Sequence, residues 1–150
     1  MNPERASFEQ VKDVFMSEQS SLFNGLSEIA RGYMMLISDI LIKKKDDIII
    51  REGDTAIDYM YIVFDGELEV VKDNKGILSF KPYECVGEMI LIDVKHERRA
   101  TIRVVSDTAE LIRIPFRKME KMEPILHEDH LKLNNNILGI MWERIQNITK

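Results

Sequence analysis

A glycine and a carboxylate, Gly87-Glu88, open the stretch of this 150-residue sequence whose residue types and spacing most suggest binding chemistry. An apolar turn follows, Met89-Ile90-Leu91-Ile92, and an arginine pair, Arg98-Arg99, stands just ahead of a β-like segment. That order suits an anion. Gly87 has no Cβ, so the backbone there allows close approach of a ligand, and a short helical turn behind it would aim unpaired N–H groups at a phosphate. Arg98 would supply the countercharge. Glu88, when ionised, only accepts hydrogen bonds, which fits a sugar hydroxyl and repels a phosphate set directly against it. The two together imply a ligand carrying both groups.

Taken through to Ile102, the run Val86-Gly87-Glu88-Met89-Ile90-Leu91 and then Arg98-Arg99-Ala100-Thr101-Ile102 resembles the phosphate-binding cassette of cyclic-nucleotide-binding domains. The family pattern is roughly F-G-E-[LM]-[AG]-L, a short variable loop, then R-x-A-T-V. Upstream, Arg51-Glu52-Gly53-Asp54, Asp58 to Val63 and Asp65-Gly66 are similar to the family's REGD…D-x-[FM]-Y-I-[IV]…G run, and Leu22 to Leu26 to the turn that precedes its barrel. The resemblance spans roughly residues 22 to 148. It implies a relative of the catabolite activator protein and the protein kinase A regulatory subunit. The implied fold is mainly β, a double-stranded β-helix (jelly-roll) barrel with N-terminal helices and a long C-terminal helix. The implied ligand is cAMP or cGMP, held by Gly87, Glu88, Met89, Ile90, Arg98, Arg99 and Ala100, with no metal or cofactor, and the implied signal is movement of the C-terminal helix. Four positions depart from the pattern: Ile90 replaces a small residue, Arg99 a small or hydroxylated one, Tyr83 a turn glycine and Val86 an aromatic. The alternative is therefore an interaction module of the same fold that has lost the nucleotide, with Ile90 filling the pocket.

Composition narrows the remaining classes. With 45% hydrophobic and 31% charged residues the chain suffices for one sizeable core. The expectation is a single domain over 1–150, with N-terminal helices over 1–38, a β-barrel over 39–114 and C-terminal helices over 115–150. A net charge of -5 without a basic block argues against long polyanions, and with Lys150 ending the chain no DNA-binding module is expected to follow. Cys85 is the single cysteine, so no internal disulfide forms; we read it as a small buried hydrophobe. No basic-then-apolar leader or long apolar span is present, so a cytoplasmic protein without membrane contact is expected. No Ser-His-Asp elbow, P-loop or catalytic carboxylate pair stands out, so an enzyme is not expected. His127, Glu128, Asp129 and His130 invite a metal reading, but a solvated helix start explains them without converging ligands.

The elements that must position the cassette follow from periodicity. Phe8, Val11, Val14 and Phe15 recur at helical spacing between Pro3 and Gln19, and Ser27 is placed to cap a second helix running to about Ser38. Short apolar runs then predict strands over Ile40 to Ile42, Ile48 to Ile50, Tyr59 to Phe64, Leu68 to Val71, Thr101 to Val105 and Ala109 to Ile114, with turns at Gly53-Asp54, Asp65-Gly66 and Asp73 to Gly76. Phe116 to Met122 reads as a short helix, and Pro124 as the opening residue of the last one. That helix carries two apolar stripes about a third of a turn apart: Leu133, Ile137, Ile140, Met141 and Ile148, and Leu131, Leu138, Trp142 and Ile145. The barrel accounts for the first. The second is open to the ligand's base, to the N-terminal helices, or to a partner, either an effector protein or a second copy in a homodimer.

Overall fold

The computed structural model describes residues 8–55, 58–87, 98 and 100–149, the last two of these as backbone only. Helix α1 (Phe8–Met16), a 3-10 turn (Ser21–Phe23) and helix α2 (Glu28–Ile37) lead, among the described residues, into eight strands. These are β1 (Asp39–Lys44), β2 (Ile48–Ile50), β3 (Tyr59–Asp65), β4 (Leu68–Lys72), β5 (Lys75–Phe80), β6 (Cys85–Val86), β7 (Thr101–Val104) and β8 (Thr108–Pro115). Helices α3 (Phe116–Glu120) and α4 (His127–Thr149) close the chain. The strands pair antiparallel in two four-stranded sheets, β1-β8-β3-β6 and β2-β7-β4-β5, which form the jelly roll.

Strand alternation sorts the side chains into two cores. On β3 and β8, Val63, Ala109 and Leu111 turn into the space between the sheets and meet Ile50, Leu68, Val70, Phe80, Val86, Ile102 and Val104. Their neighbours Met60, Ile62, Ile112 and Ile114 turn to the opposite face, where the helices lie. There they join Phe15, Phe23, Met34, Leu133, Ile137 and Met141. Asp73 and Asn74 join β4 to β5 with φ of 52° and 64°, the positive pair that a two-residue hairpin turn matched to strand twist requires.

Four polar side chains, those of Ser27, Asp129, Asn136 and Arg31, assemble the helical layer. Ser27 caps α2, its Oγ accepting from the Ala30 N–H at 3.2 Å. Asp129 on α4 accepts from the Ser27 N–H and the Ser27 hydroxyl, each at 2.8 Å. The Asn136 amide donates to the carbonyls of Leu22 and Asn24. Arg31, 5% exposed, donates to the carbonyls of Phe15, Ser17, Phe23 and Leu26 and to the Glu18 carboxylate. The loop between α1 and α2 is thereby wrapped around one guanidinium.

Several expectations change. The start of α4 is not wholly solvated, because Asp129 is buried against Ser27, although His127 is exposed and pairs with Glu123. Pro124 does not open α4. Residues 121–126 instead close turns onto the carbonyls of Lys118, Met119, Glu120 and Met122, with the Met122 side chain buried beneath them, and the helix begins at His127. The first stripe is buried against the barrel and the N-terminal helices together, leaving the second exposed; the Ile148 side chain lies outside the described residues. Among the described residues no helix is long and apolar enough to cross a membrane.

Candidate anion-binding site

β6 delivers the cassette. Its two residues pair with the middle of β3, Val86 with Tyr61 and Cys85 with Ile62, and both are buried. The chain then turns at Gly87, whose φ of +87° lies in the region that glycine enters without a Cβ penalty. Space forbids a side chain there as well. A Cβ on Gly87 would stand 3.0 Å from Arg98 Nη1 and 3.0 Å from Ile50 Cδ1.

Arg98, 11 positions further along the chain, comes back to the same point. It is 8% exposed, and its guanidinium donates to the Gly87 carbonyl through Nη1 and to the Tyr59 carbonyl through Nη2, both at 2.7 Å. Its main chain is held equally firmly. The Arg98 N–H donates to the Asp54 carbonyl at 2.9 Å and the Gly53 N–H to the Arg98 carbonyl at 2.8 Å, while the Thr101 hydroxyl accepts from the Glu52 N–H at 3.0 Å. The Glu52-Gly53-Asp54 turn is thus the clamp that sets the arginine. Of the expected site residues, the structure brings Gly87 and Arg98 into contact and packs Ala100 against the inter-sheet core. Glu88, Met89, Ile90 and Arg99 lie outside the described residues.

A second charged group borders the first. Tyr61, Arg113 and Asp39 stand opposite one another across β3, β8 and β1. Arg113 grips Asp39 with two hydrogen bonds, 2.9 Å from Nε and 2.6 Å from Nη2, and lies over the Tyr59 ring with its guanidinium carbon 4.4 Å from the centroid. The bond to Asp39 holds the Arg113 pKa above its ordinary value. Burial pushes the Tyr61 phenol up, against the opposing fields of Arg98 and Arg113, so at neutral pH it stays a neutral hydroxyl between two cations. Tyr59, Tyr61 and Ile50 were not among the expected site residues. The period-two placement of Tyr59 and Tyr61 on β3, on the side of Val63, was the available signal.

The arrangement sets the Arg98 guanidinium, beside the Arg113–Asp39 ion pair, against a backbone turn stripped of its side chain, which is the chemistry of a phosphate or carboxylate site. A family model described as the cyclic nucleotide-binding domain matches residues 42–123. No match to a curated protein reaches significance. Among solved structures, a cyclic nucleotide-binding protein of Geobacter metallireducens superposes with a TM-score of 0.74 at 17% identity, covering 94% of this chain and 99% of its own. A cyclic nucleotide-binding domain of Methylobacillus flagellatus gives 0.76 at 22% identity, over 94% and 79%. At these identities the likeness establishes the fold. The regulatory domain of Toxoplasma gondii protein kinase A, solved with cAMP, gives 0.66 at 27% identity over 79% of this chain, which spans only 46% of that one.

Proposed function

The chain belongs to the cyclic nucleotide-binding domain family, and on that premise we propose that it is a non-catalytic sensor of cAMP or cGMP that signals through α4. The observation that carries this reading is the Arg98 guanidinium, set by two carbonyls against Gly87. An arginine already oriented by the fold gives up less conformational freedom when it meets an anion than one tethered to a loose loop. The cyclic phosphate would contact Arg98 and the N–H groups that follow Gly87, and Glu88 would accept the ribose 2′-hydroxyl. Arg99 would add positive charge at the same mouth, Ala100 keeps the floor small, and Met89 and Ile90 would form the turn. The Toxoplasma regulatory domain, solved with cAMP, supports the choice of ligand.

The route to α4 is short. Arg144 donates to the Cys85 carbonyl, two residues ahead of Gly87, and lies over the Phe80 ring at 4.7 Å from its centroid. A change at Gly87 therefore reaches the last helix through β6 and one side chain. The alternative is a module of the same fold that has lost the nucleotide, with Ile90 filling the pocket.

Calorimetric titration of the wild-type chain and of Arg98→Ala with cAMP and with cGMP separates the two. The sensor predicts saturable one-to-one binding by the wild type and at least about a tenfold loss in the variant, since a charge-assisted contact contributes roughly 1.5–3 kcal/mol. A folded wild-type chain that takes up neither nucleotide establishes the ligand-free module. Equal affinities in the two proteins would remove Arg98 from the site.

A further inference from the structure

One of the carbonyls that hold Arg98 belongs to a strand end that the sheet itself does not complete. Tyr59, the first residue of β3, stands opposite Pro115 in a pair that exchanges no main-chain bond; the ladder bond beside it runs from the Phe116 N–H to the Asp58 carbonyl. The Tyr59 carbonyl therefore points away from β8, to the side where β6 has already ended at Val86, opposite Tyr61. Arg98 Nη2 enters that gap and donates to the carbonyl at 2.7 Å, in the place of a ladder N–H. Where the Tyr59 carbonyl points, the guanidinium must follow.

A set of side chains across the sheet fixes Tyr59. The Arg113 guanidinium lies over the Tyr59 ring, its carbon 4.4 Å from the centroid. The two Asp39 oxygens hold that guanidinium at Nε and Nη2, at 2.9 Å and 2.6 Å. A planar fork bound at two points cannot turn about its last bond, so its face stays on the ring. Asp39 opens β1 in register with Arg113 and follows directly on Ser38, whose N–H and hydroxyl both donate to the Met35 carbonyl at the end of α2. The carboxylate thus hangs from a fixed point. Both partners are partly exposed, and at such exposure an ion pair adds little to stability, so stability does not account for the two-point grip. We propose that Asp39 and Arg113 are positioning residues for the binding arginine: Asp39 keeps Arg113 on the Tyr59 ring, and Tyr59 so held presents its carbonyl to Arg98. The relay stands on this geometry, and its effect on nucleotide affinity rests on the sensor reading.

The sign of one substitution separates positioning from plain electrostatics. Asp39→Asn removes a negative charge near the anion site and leaves the Arg113 cation in place, so charge alone predicts tighter nucleotide binding. Loss of the two-point grip predicts weaker binding, by about two- to tenfold in calorimetry with cAMP. In a Tyr59→Leu background the same substitution is expected to change affinity by less than about twofold, because the ring through which it acts is gone. A second measurement uses the ligand-free chain. In nitrogen-resolved NMR spectra the Arg98 Nη signals, identified by their loss in Arg98→Ala, are expected to stand apart, since the Gly87 and Tyr59 carbonyls each hold one nitrogen. They are expected to merge in Asp39→Asn and in Arg113→Met, with Arg113→Lys between, since lysine keeps the cation but not the fork. A folded wild-type chain that takes up no nucleotide would end the sensor reading and leave these signals to decide the relay. Equal or tighter cAMP binding by Asp39→Asn would overturn the proposal, and so would Arg98 signals that stay apart in both variants.

Discussion

Replacing Gly87 by alanine strikes the backbone and the arginine of the site together, and the structure sets the size of both effects. At a φ of +87° an alanine adopts a left-handed backbone, at a cost of roughly 1–2 kcal/mol. Its Cβ would also arrive 3.0 Å from Ile50 Cδ1 and from Arg98 Nη1, so both must retreat by a few tenths of an ångström. Ile50 belongs to the inter-sheet core, and overfilling there adds roughly 1 kcal/mol. The loss of about 2–3 kcal/mol leaves a domain of ordinary stability folded, with a melting temperature lower by about 5–10 °C. Affinity for the cyclic nucleotide is expected to fall by about ten- to a hundredfold, because the guanidinium that the methyl displaces makes a contact of roughly 1.5–3 kcal/mol. Gly66→Ala supplies the control. Gly66 sits at the β3–β4 turn with φ +92°, and its Cβ would meet the Thr108 carbonyl oxygen at 2.6 Å and Ala109 Cα at 2.9 Å, backbone atoms that cannot swing aside. It should destabilise more than Gly87→Ala, yet leave nucleotide affinity within about twofold below the melting range. Denaturation curves and calorimetry on both variants decide the matter. Wild-type affinity in Gly87→Ala, or an equal loss in folded Gly66→Ala, would refute the reasoning.

Arg31→Met keeps the aliphatic stem but removes the donor to the carbonyls of Phe15, Ser17, Phe23 and Leu26, and should lower the unfolding free energy by about 3–5 kcal/mol in urea titration; Glu18→Ala, at the exposed end of the same ion pair, should cost under about 1 kcal/mol. Tyr61 has a folded pKa above its ordinary 10.0, so the unfolded chain gives up that proton first: stability is whole below about pH 10 and falls as the pH rises above it. Tyr61→Phe should flatten this decline in unfolding midpoints compared between about pH 8 and pH 11, and an unchanged slope would assign the decline elsewhere. Ile90→Ala is expected to change cAMP affinity less than about tenfold, because Gly87, Glu88, Arg98, Ala100 and Thr101 all accompany it; a gain of one to two decades, equal to roughly 1–3 kcal/mol of relieved crowding, would mark the natural site as attenuated.

What the sequence disclosed and what it withheld follow a physical division. Local patterns were legible: the alternation on β3 and β8, the Ser27 cap, the order of Gly87, Arg98 and Thr101. β5 escaped because four of its six residues are exposed and it begins Lys75-Gly76, leaving little periodicity to detect. β6 is two residues long, below any period. The start of α4 was misplaced because Pro124 is compatible with a first helical turn, while the buried Met122 holds residues 121–126 in turns. Contacts across the chain left no local trace. Asp129 to Ser27 spans 102 positions and Asn136 to Leu22 spans 114, and an aspartate near a helix start reads as solvated unless its distant partner is known. The partners of Arg98 and Arg31 are mostly main-chain carbonyls, which every residue carries and no residue type announces.

Those distant contacts divide α4 into unlike halves. Its first half is fastened by Asp129 and Asn136 to the turn between α1 and α2, and Arg31 makes that turn one rigid piece. The second half packs on the core through Met141 and meets the barrel through Arg144, at Phe80 and at the strand that leads into Gly87. Between them stands Gly139, a residue that weakens a helix interior by about 1 kcal/mol relative to alanine. If the cassette shifts when a nucleotide binds, the side that must answer is the one holding Trp142 and Ile145, while Leu131 and Asn135 stay with the rigid half.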